Sequence, residues 1–284
     1  MNPSSKQFFS GLESLRGIAA LLVVFHHIHW ANPLTAQLFF RNGYLMVDLF
    51  FVLSGFVICH NYGQKIGQAK DVGHFMFLRF GRLYPLHLFC LTVFLGMEVA
   101  KYIGELKFHF VPSASSAFST NNTSSFIANL LLIQSFCPSA KVTFNAPSWS
   151  ISTEFYTYLV FAIVVLASPK RKSVLIISAC LALLTASLLI YSGVSGMDVS
   201  AGWSFVRCML GFFTGVLAYH VYGHQRANIS RWSGKLAFCL LALLIVYMSS
   251  SENAQLNGII VLPVFFGLIV AVAAEPAGGV CQKC

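Results

Sequence analysis

An arginine and a histidine share one face of the first apolar segment. Arg16 and His27 are 11 residues apart. In an α-helix that spacing leaves them about 20° from the same face and about 16.5 Å apart along the axis. His26 is turned away from this face by about 80°. Ionisable side chains within apolar segments are costly and mark functional sites. His27 is therefore a candidate general base, and a histidine that only fills the core is the alternative.

Neighbouring histidines also raise the question of a metal. His26, His27 and His29 occur together. Metal ligands on one helix face are expected three or four residues apart, which these are not. We therefore predict no metal site here.

Asp48 lies in a second apolar segment. An unpaired carboxylate there would cost several kcal/mol, so the residue is expected to have a partner. Arg207, a cation within another apolar segment, is a candidate for it. Asp48 is therefore predicted either to hold two segments together or to take part in catalysis.

Two arginines alternate with aromatic residues just before a third apolar segment. Arg79 and Arg82 are three residues apart, so they face together if the segment is helical. Paired guanidinium groups among aromatic rings suit a phosphate and a stacked base. The alternative is that they anchor the chain at the lipid headgroups.

A polar stretch opens a fourth apolar segment. Ser150 and Glu154 are four residues apart and share a helix face, directly after Trp149. Glu154 is a candidate acid–base group, and Trp149 with Ser150 could shape a substrate pocket. The alternative is helix capping, with Glu154 near the positive end of the helix.

The composition indicates which class of fold holds these residues in place. Hydrophobic residues make up 57% of the chain and charged residues 10%, and mean hydropathy is +0.73. A soluble domain has about 25% charged residues, so a soluble enzyme is excluded. The apolar runs are long and do not alternate, which excludes a porin-type barrel. We predict an all-α, polytopic transmembrane helical bundle embedded in a lipid bilayer.

Eight apolar runs are predicted to span the membrane, most near the required length of about 20 residues. They are 12–30, 43–60, 83–103, 149–168, 173–192, 203–222, 235–249 and 258–274. The run 126–136 is too short to cross and is predicted to be re-entrant or interfacial. We expect 79–85 to interrupt any helix there.

The positive charges predict the orientation. With the N-terminus in the cytoplasm, 13 of the 18 lysines and arginines fall on the inner side, as the positive-inside rule requires. Residues 104–148 then lie outside. The net charge of +9 is explained by this topology, and no nucleic-acid partner is predicted.

Four sequence blocks, in this order and spacing, resemble the integral-membrane acyltransferase family 3. The family includes O-acetyltransferases of O-antigen and peptidoglycan, and macrolide acyltransferases. The blocks are Leu15-Arg16-Gly17 followed by His27, then VDLFFVLSGF at 47–56, RFGRLYP at 79–85 and PSWSISTEFY at 147–156.

The resemblance implies acyl transfer from cytoplasmic acyl-CoA, such as acetyl-CoA, to a hydroxyl of a carbohydrate or glycolipid at the outer face of the inner (plasma) membrane. It implies no tightly bound cofactor. Arg16 and His27 match the family's essential arginine and histidine, and Arg79 and Arg82 match its cytoplasmic arginine pair.

The sequence departs from the family pattern in two respects. Met46 stands where glycine is usual, and the last spans and a late Ser-Tyr…His block are missing. Residues 1–284 are thus expected to be one membrane-embedded domain that is a fragment, has a misread gene end, or is a short variant.

These expectations combine into a mechanism. Arg16, Arg79 and Arg82 hold the CoA phosphates. His27 acts as general base on the acceptor hydroxyl, or forms an acyl-histidine. Glu154 or Asp48 orients the imidazole.

Two other functions remain open. The first is a proton-coupled transporter or flippase with a relay of His27, Asp48 and Glu154. The second is a haem protein built on His60, His74 and His87, which the expected break at 79–85 argues against.

Overall fold

The computed structural model describes residues 9–28, 37–108, 115–137, 142–168, 170–193, 203–250 and 257–275. Over these ranges the regular secondary-structure elements are all helices, as predicted. The α-helices are α1 (Ser10–His26), α2 (Leu38–Arg41), α3 (Met46–Tyr62), α4 (Ala69–Phe108), α5 (Thr123–Leu130), α6 (Trp149–Ala167), α7 (Arg171–Tyr191), α8 (Trp203–Ser230), α9 (Ser233–Ser250) and α10 (Asn257–Ala274).

Six helices in the described residues are long and apolar enough to cross a membrane. They are α4, α6, α7, α8, α9 and the continuous stretch Leu38–Tyr62 that ends with α3. The first predicted span corresponds to α1, with 17 residues, and the last corresponds to α10, in which the apolar helix Ile259–Ala274 is shorter than the six above. The predicted helical membrane bundle is therefore confirmed.

Helices α3 and α8 form the centre of the bundle at very close range. A methyl group at Gly55 of α3 would overlap the carbonyl oxygen of Phe212, and one at Gly215 of α8 would overlap that of Val52. Small residues let helix backbones approach this closely within a membrane. Gly55 and Gly215 therefore allow the close approach of α3 and α8.

Helix α4 corrects the expected break at 79–85. It runs without interruption for 40 residues and contains Pro85. Proline removes one backbone hydrogen bond, and membrane helices tolerate this where neighbouring groups compensate. Arg79 and Arg82 therefore lie on one continuous helix, so the argument from a break against a haem site does not hold.

The short apolar run 126–136 does not form a span. It contains the end of the eight-residue helix α5, a turn and the 3₁₀ turn Gln134–Phe136. Tyr84 of α4 donates to the Leu130 carbonyl at 2.9 Å, and Ser152 of α6 donates to the Leu132 carbonyl at 2.6 Å. These contacts hold the run against α4 and α6.

Helices α1 and α3 are antiparallel, which defines two ends of the bundle. His26 Nδ1 lies 2.8 Å from the Arg41 carbonyl, and its ring contacts Tyr44 just before α3. At the other end Phe9 packs against Phe56 and His60. We call these the His27 end and the Tyr62 end.

Candidate functional site

A cavity of about 620 Å³ lies between α1, α3, α4 and the start of α6, a size typical of small-molecule sites. It brings together seven of the eight predicted site residues. These are Arg16, His27, Arg79, Arg82, Trp149, Ser150 and Glu154. The lining extends over about 21 Å of α1, from Glu13 to His27, and over about 16.5 Å of α3, from Val47 to Ile58. The cavity is therefore elongated along both helices.

Arg79 and Arg82 place positive charge at the Tyr62 end. Arg79 Nη2 donates to the Tyr62 hydroxyl at 3.1 Å, and its guanidinium lies over the rings of Tyr62 and Phe75 at 5.1 and 5.7 Å. Its Nε is buried without a hydrogen-bond partner among the described residues. Arg82 is exposed. Both arginines can therefore bind an anion.

Arg16 adds a third cation to the cavity. Its Nη1 lies 2.6 Å from Glu13 Oε1, one turn earlier on α1, and the two side chains are 26% and 49% exposed. Such a solvent-accessible pair stabilises the fold little, so an anionic ligand can replace Glu13. Sequence reasoning missed Glu13, although its spacing of three from Arg16 signals the pair.

His27 lines the same cavity as Arg16, as their shared helix face predicts. Its Nδ1 lies 2.8 Å from the Val23 carbonyl. A carbonyl oxygen only accepts, so Nδ1 carries the proton of the neutral ring and Nε2 is the basic nitrogen. The ring of His26 instead contacts the Arg41 carbonyl and Tyr44.

Glu154 lies partway along the cavity. Its Oε1 accepts hydrogen bonds from the hydroxyls of Ser54 and of Tyr158, the latter at 2.5 Å. Sequence reasoning missed both donors. The spacing of four between Glu154 and Tyr158 indicates that they share a helix face and can form a hydrogen bond. Ser54 is 100 residues from Glu154, so no local spacing indicates that contact.

The structure does not place Glu154 as the group that orients His27. The Val23 carbonyl already occupies Nδ1. Ser54, which binds Glu154, is seven residues from Val47, or about 10 Å along α3 from the His27 end. The i−4 carbonyl of its own helix therefore orients the imidazole.

Asp48 is the predicted residue that lies outside the cavity. It is 1% exposed and forms a bidentate ion pair with Arg207 of α8, with both N–O distances at 2.8 Å. The catalytic prediction for Asp48 is therefore replaced by its alternative, a link between two helices. Burial demands a partner for a carboxylate, and Arg207 supplies it.

The ion pair connects to the cavity through Trp149. The Arg207 guanidinium lies over the Trp149 ring at 5.3 Å, and Phe51 contacts the same ring edge to face. Ser135 Oγ donates to the Trp149 carbonyl at 2.8 Å. Ser150 Oγ donates to the Pro147 carbonyl at 2.9 Å. The wall at the start of α6 is thus held from α3, α8 and the 3₁₀ turn Gln134–Phe136.

Comparison with known proteins gives the same family as the sequence blocks. Residues 9–277 match a family model described as "Acyltransferase domain". The chain is 34% identical to "Acyltransferase MdmB" of Streptomyces mycarofaciens over 165 residues, which is 53% of this chain and 37% of that protein. It is 24% identical to "Putative peptidoglycan O-acetyltransferase YrhL" of Bacillus subtilis over 302 residues, covering 95% of this chain and 44% of that protein.

A further relative, "Protein 2 in picA locus" of Rhizobium radiobacter, is 38% identical over 108 residues, or 36% of this chain and 52% of that protein. The chain thus spans about half or less of the length of these three relatives. No solved structure matches it significantly. Because the family model covers nearly the whole chain, this integral membrane protein belongs to the acyltransferase family 3.

Proposed function

We propose that the protein transfers an acetyl or other acyl group from acyl-CoA to a hydroxyl of a carbohydrate or glycolipid acceptor. The observation that supports this most directly is the shared cavity of the arginines and His27. Arg16 and His27 are about 16.5 Å apart along α1, so a donor bound by its phosphates at the Tyr62 end can present its thioester at the His27 end. The name of the Bacillus subtilis relative supports a glycan acceptor.

The chemistry follows from the tautomer of His27. The acceptor O–H gives its proton to Nε2 while its oxygen attacks the thioester carbonyl carbon. The C–S bond breaks, and the CoA thiolate takes the proton back from the imidazolium. The Val23 carbonyl keeps the ring oriented and stabilises the cation. Trp149 and Ser150 form the acceptor side of the cavity. An acyl-histidine would form on the same nitrogen.

The proton-relay alternative loses support from the same geometry. Asp48 is tied to Arg207 by two hydrogen bonds and lies away from the cavity that holds His27 and Glu154. Incubation of the purified protein with radiolabelled acetyl-CoA tests the proposal. Label should move to an acceptor or to water in a His27-dependent manner. A protein that leaves the thioester intact with every acceptor tried would favour transport.

The arginines give a prediction about the donor. Arg79→Ala and Arg82→Ala should each raise the KM for acetyl-CoA, because each guanidinium supplies a charge-assisted contact to phosphate. A hydrogen bond to a charged group is worth about 1.5–3 kcal/mol, or roughly ten- to hundredfold in KM. With S-acetylpantetheine, which lacks the nucleotide and its phosphates, the variants and the wild-type protein should have the same KM. Lys101→Ala, at the opposite end of α4, is the matched control, and an unchanged KM in both arginine variants would make them headgroup anchors.

Orientation gives a second prediction. We propose that the N-terminus and the start of α7 at 170–172 face the cytoplasm, because this arrangement places 13 of the 18 basic residues inside. In a cysteine-free background, an impermeant thiol reagent added to intact cells should label Ser116→Cys and spare Lys172→Cys. Both positions are exposed, so disrupted cells should show labelling of both. The reverse pattern in intact cells would invert the topology.

A further inference from the structure

Three side chains form a hydrogen-bonded group on the wall of the cavity. Ser54 of α3 and Tyr158 of α6 both donate to the same oxygen of Glu154, Oε1, and all three residues line the cavity. Among the described residues the hydrogen bonds to Glu154 both end on Oε1. The second carboxylate oxygen therefore remains to accept a hydrogen bond from a ligand.

The group lies between the cationic end and the histidine. Ser54 is four residues from Ile58 and seven from Val47, which also line the cavity. These spacings place it about 6 Å from one lining end of α3 and about 10 Å from the other. A donor that reaches from the arginines to His27 passes this point.

We propose that Glu154, held by Ser54 and Tyr158, binds the amide N–H groups of the pantetheine arm of the donor. The inference rests on the proposed acyl-CoA function and deepens it. The arm joins the phosphates to the thioester. Its hydroxyl lies next to the phosphate end, and the donors between that hydroxyl and the thioester are amide N–H groups. A carboxylate accepts such bonds in charge-assisted form. Phe50, Val57 and Leu83 line the cavity as well, and an apolar wall strengthens a hydrogen bond by lowering the local dielectric.

The two hydroxyls have a positioning function in this proposal. Each uses a lone pair of Oε1, so the carboxylate is fixed about its terminal bonds and Oε2 is held in one direction. Pre-ordering a side chain lowers the entropy that binding would otherwise cost. Loss of one hydroxyl should therefore weaken the arm contact less than loss of the carboxylate.

The test compares three donors that carry successively fewer parts of the substrate. Acetyl-CoA has the nucleotide and the amides, S-acetylpantetheine keeps the amides but lacks the nucleotide, and S-acetyl-2-mercaptoethanol has neither. Glu154→Gln keeps an acceptor oxygen but loses the negative charge, so it should raise KM roughly five- to tenfold for the first two donors. The KM of this variant for S-acetyl-2-mercaptoethanol should stay close to the wild-type value. Its kcat at saturating donor should also stay close to the wild-type value. Tyr158→Phe should raise KM for the same two donors by a smaller factor. This second variant keeps the test valid if Glu154→Gln folds poorly.

Three outcomes would overturn the inference. An equal loss with the amide-free donor would make Glu154 part of the chemical step. A rise in acceptor KM alone would assign the group to the acceptor. Unchanged kinetics with all donors would remove the site. Failure of the proposed function looks different, because wild-type protein would then bind neither CoA nor pantetheine in calorimetry.

Discussion

We expect His27→Gln to lower kcat for acyl transfer by about 10²–10⁴-fold, the usual loss when a general base is removed. Glutamine keeps the size of the side chain and can donate to the Val23 carbonyl, as Nδ1 does at 2.8 Å. It cannot take a proton from the acceptor hydroxyl near neutral pH. The variant should therefore bind acetyl-CoA with near wild-type affinity and transfer almost nothing.

His26→Gln is the matched control, because it changes the neighbouring residue in the same way. The His26 ring stands edge to face against the His27 ring, with the centroids 5.1 Å apart. It bonds to the Arg41 carbonyl and does not line the cavity, so most activity should remain. Transfer of labelled acetyl groups, with donor binding measured separately, distinguishes the two variants. An equal loss in both would indicate a packing role for the pair. Full activity of His27→Gln would end its assignment as the base.

Local helical periodicity accounts for the part of the site that could be predicted. Arg16 and His27 share a face because eleven residues make nearly whole turns of an α-helix, and both do line one cavity. Arg79 and Arg82 likewise follow from a spacing of three. In each case the residues that must meet belong to one helix, so the angle between them is fixed by the sequence.

Partners on different helices were not predictable to the same degree. Burial in an apolar run demands a partner for Asp48, yet that requirement does not identify a residue 159 positions away. Arg207 was only a candidate for it. Nothing in the sequence pairs Ser54 with Glu154, because their contact depends on how α3 packs against α6.

The positions of the two carboxylates differ from the predicted arrangement for a related reason. A catalytic carboxylate was assigned by analogy with other histidine-based acyl transfer. The histidine lies at the last turn of α1, where the carbonyl of residue i−4 is within reach of Nδ1. The Val23 carbonyl therefore makes the contact with Nδ1 that the analogy predicts for Glu154 or Asp48.

The Asp48–Arg207 pair should give the largest effect on stability. Asp48→Leu removes the carboxylate that neutralises the buried Arg207 guanidinium, and Arg207→Met removes the cation that neutralises the buried Asp48 carboxylate. Breaking a buried pair from one side costs about 3–5 kcal/mol, whereas replacing both partners by apolar residues is often neutral. Each single variant should therefore show a lower melting temperature in detergent and a reduced yield of folded protein. The double variant should recover most of both.

The double variant also separates structure from chemistry. It should fold but lose the cation that lies 5.3 Å from the centre of the Trp149 ring, so its KM for the acceptor should rise while its KM for acetyl-CoA is kept. The acceptor side of the cavity depends on Trp149, and the donor side depends on arginines that the pair does not contact. If Asp48→Leu instead folded with wild-type stability and lost kcat alone, the carboxylate would be catalytic. The contact with Arg207 would then serve the reaction rather than the bundle.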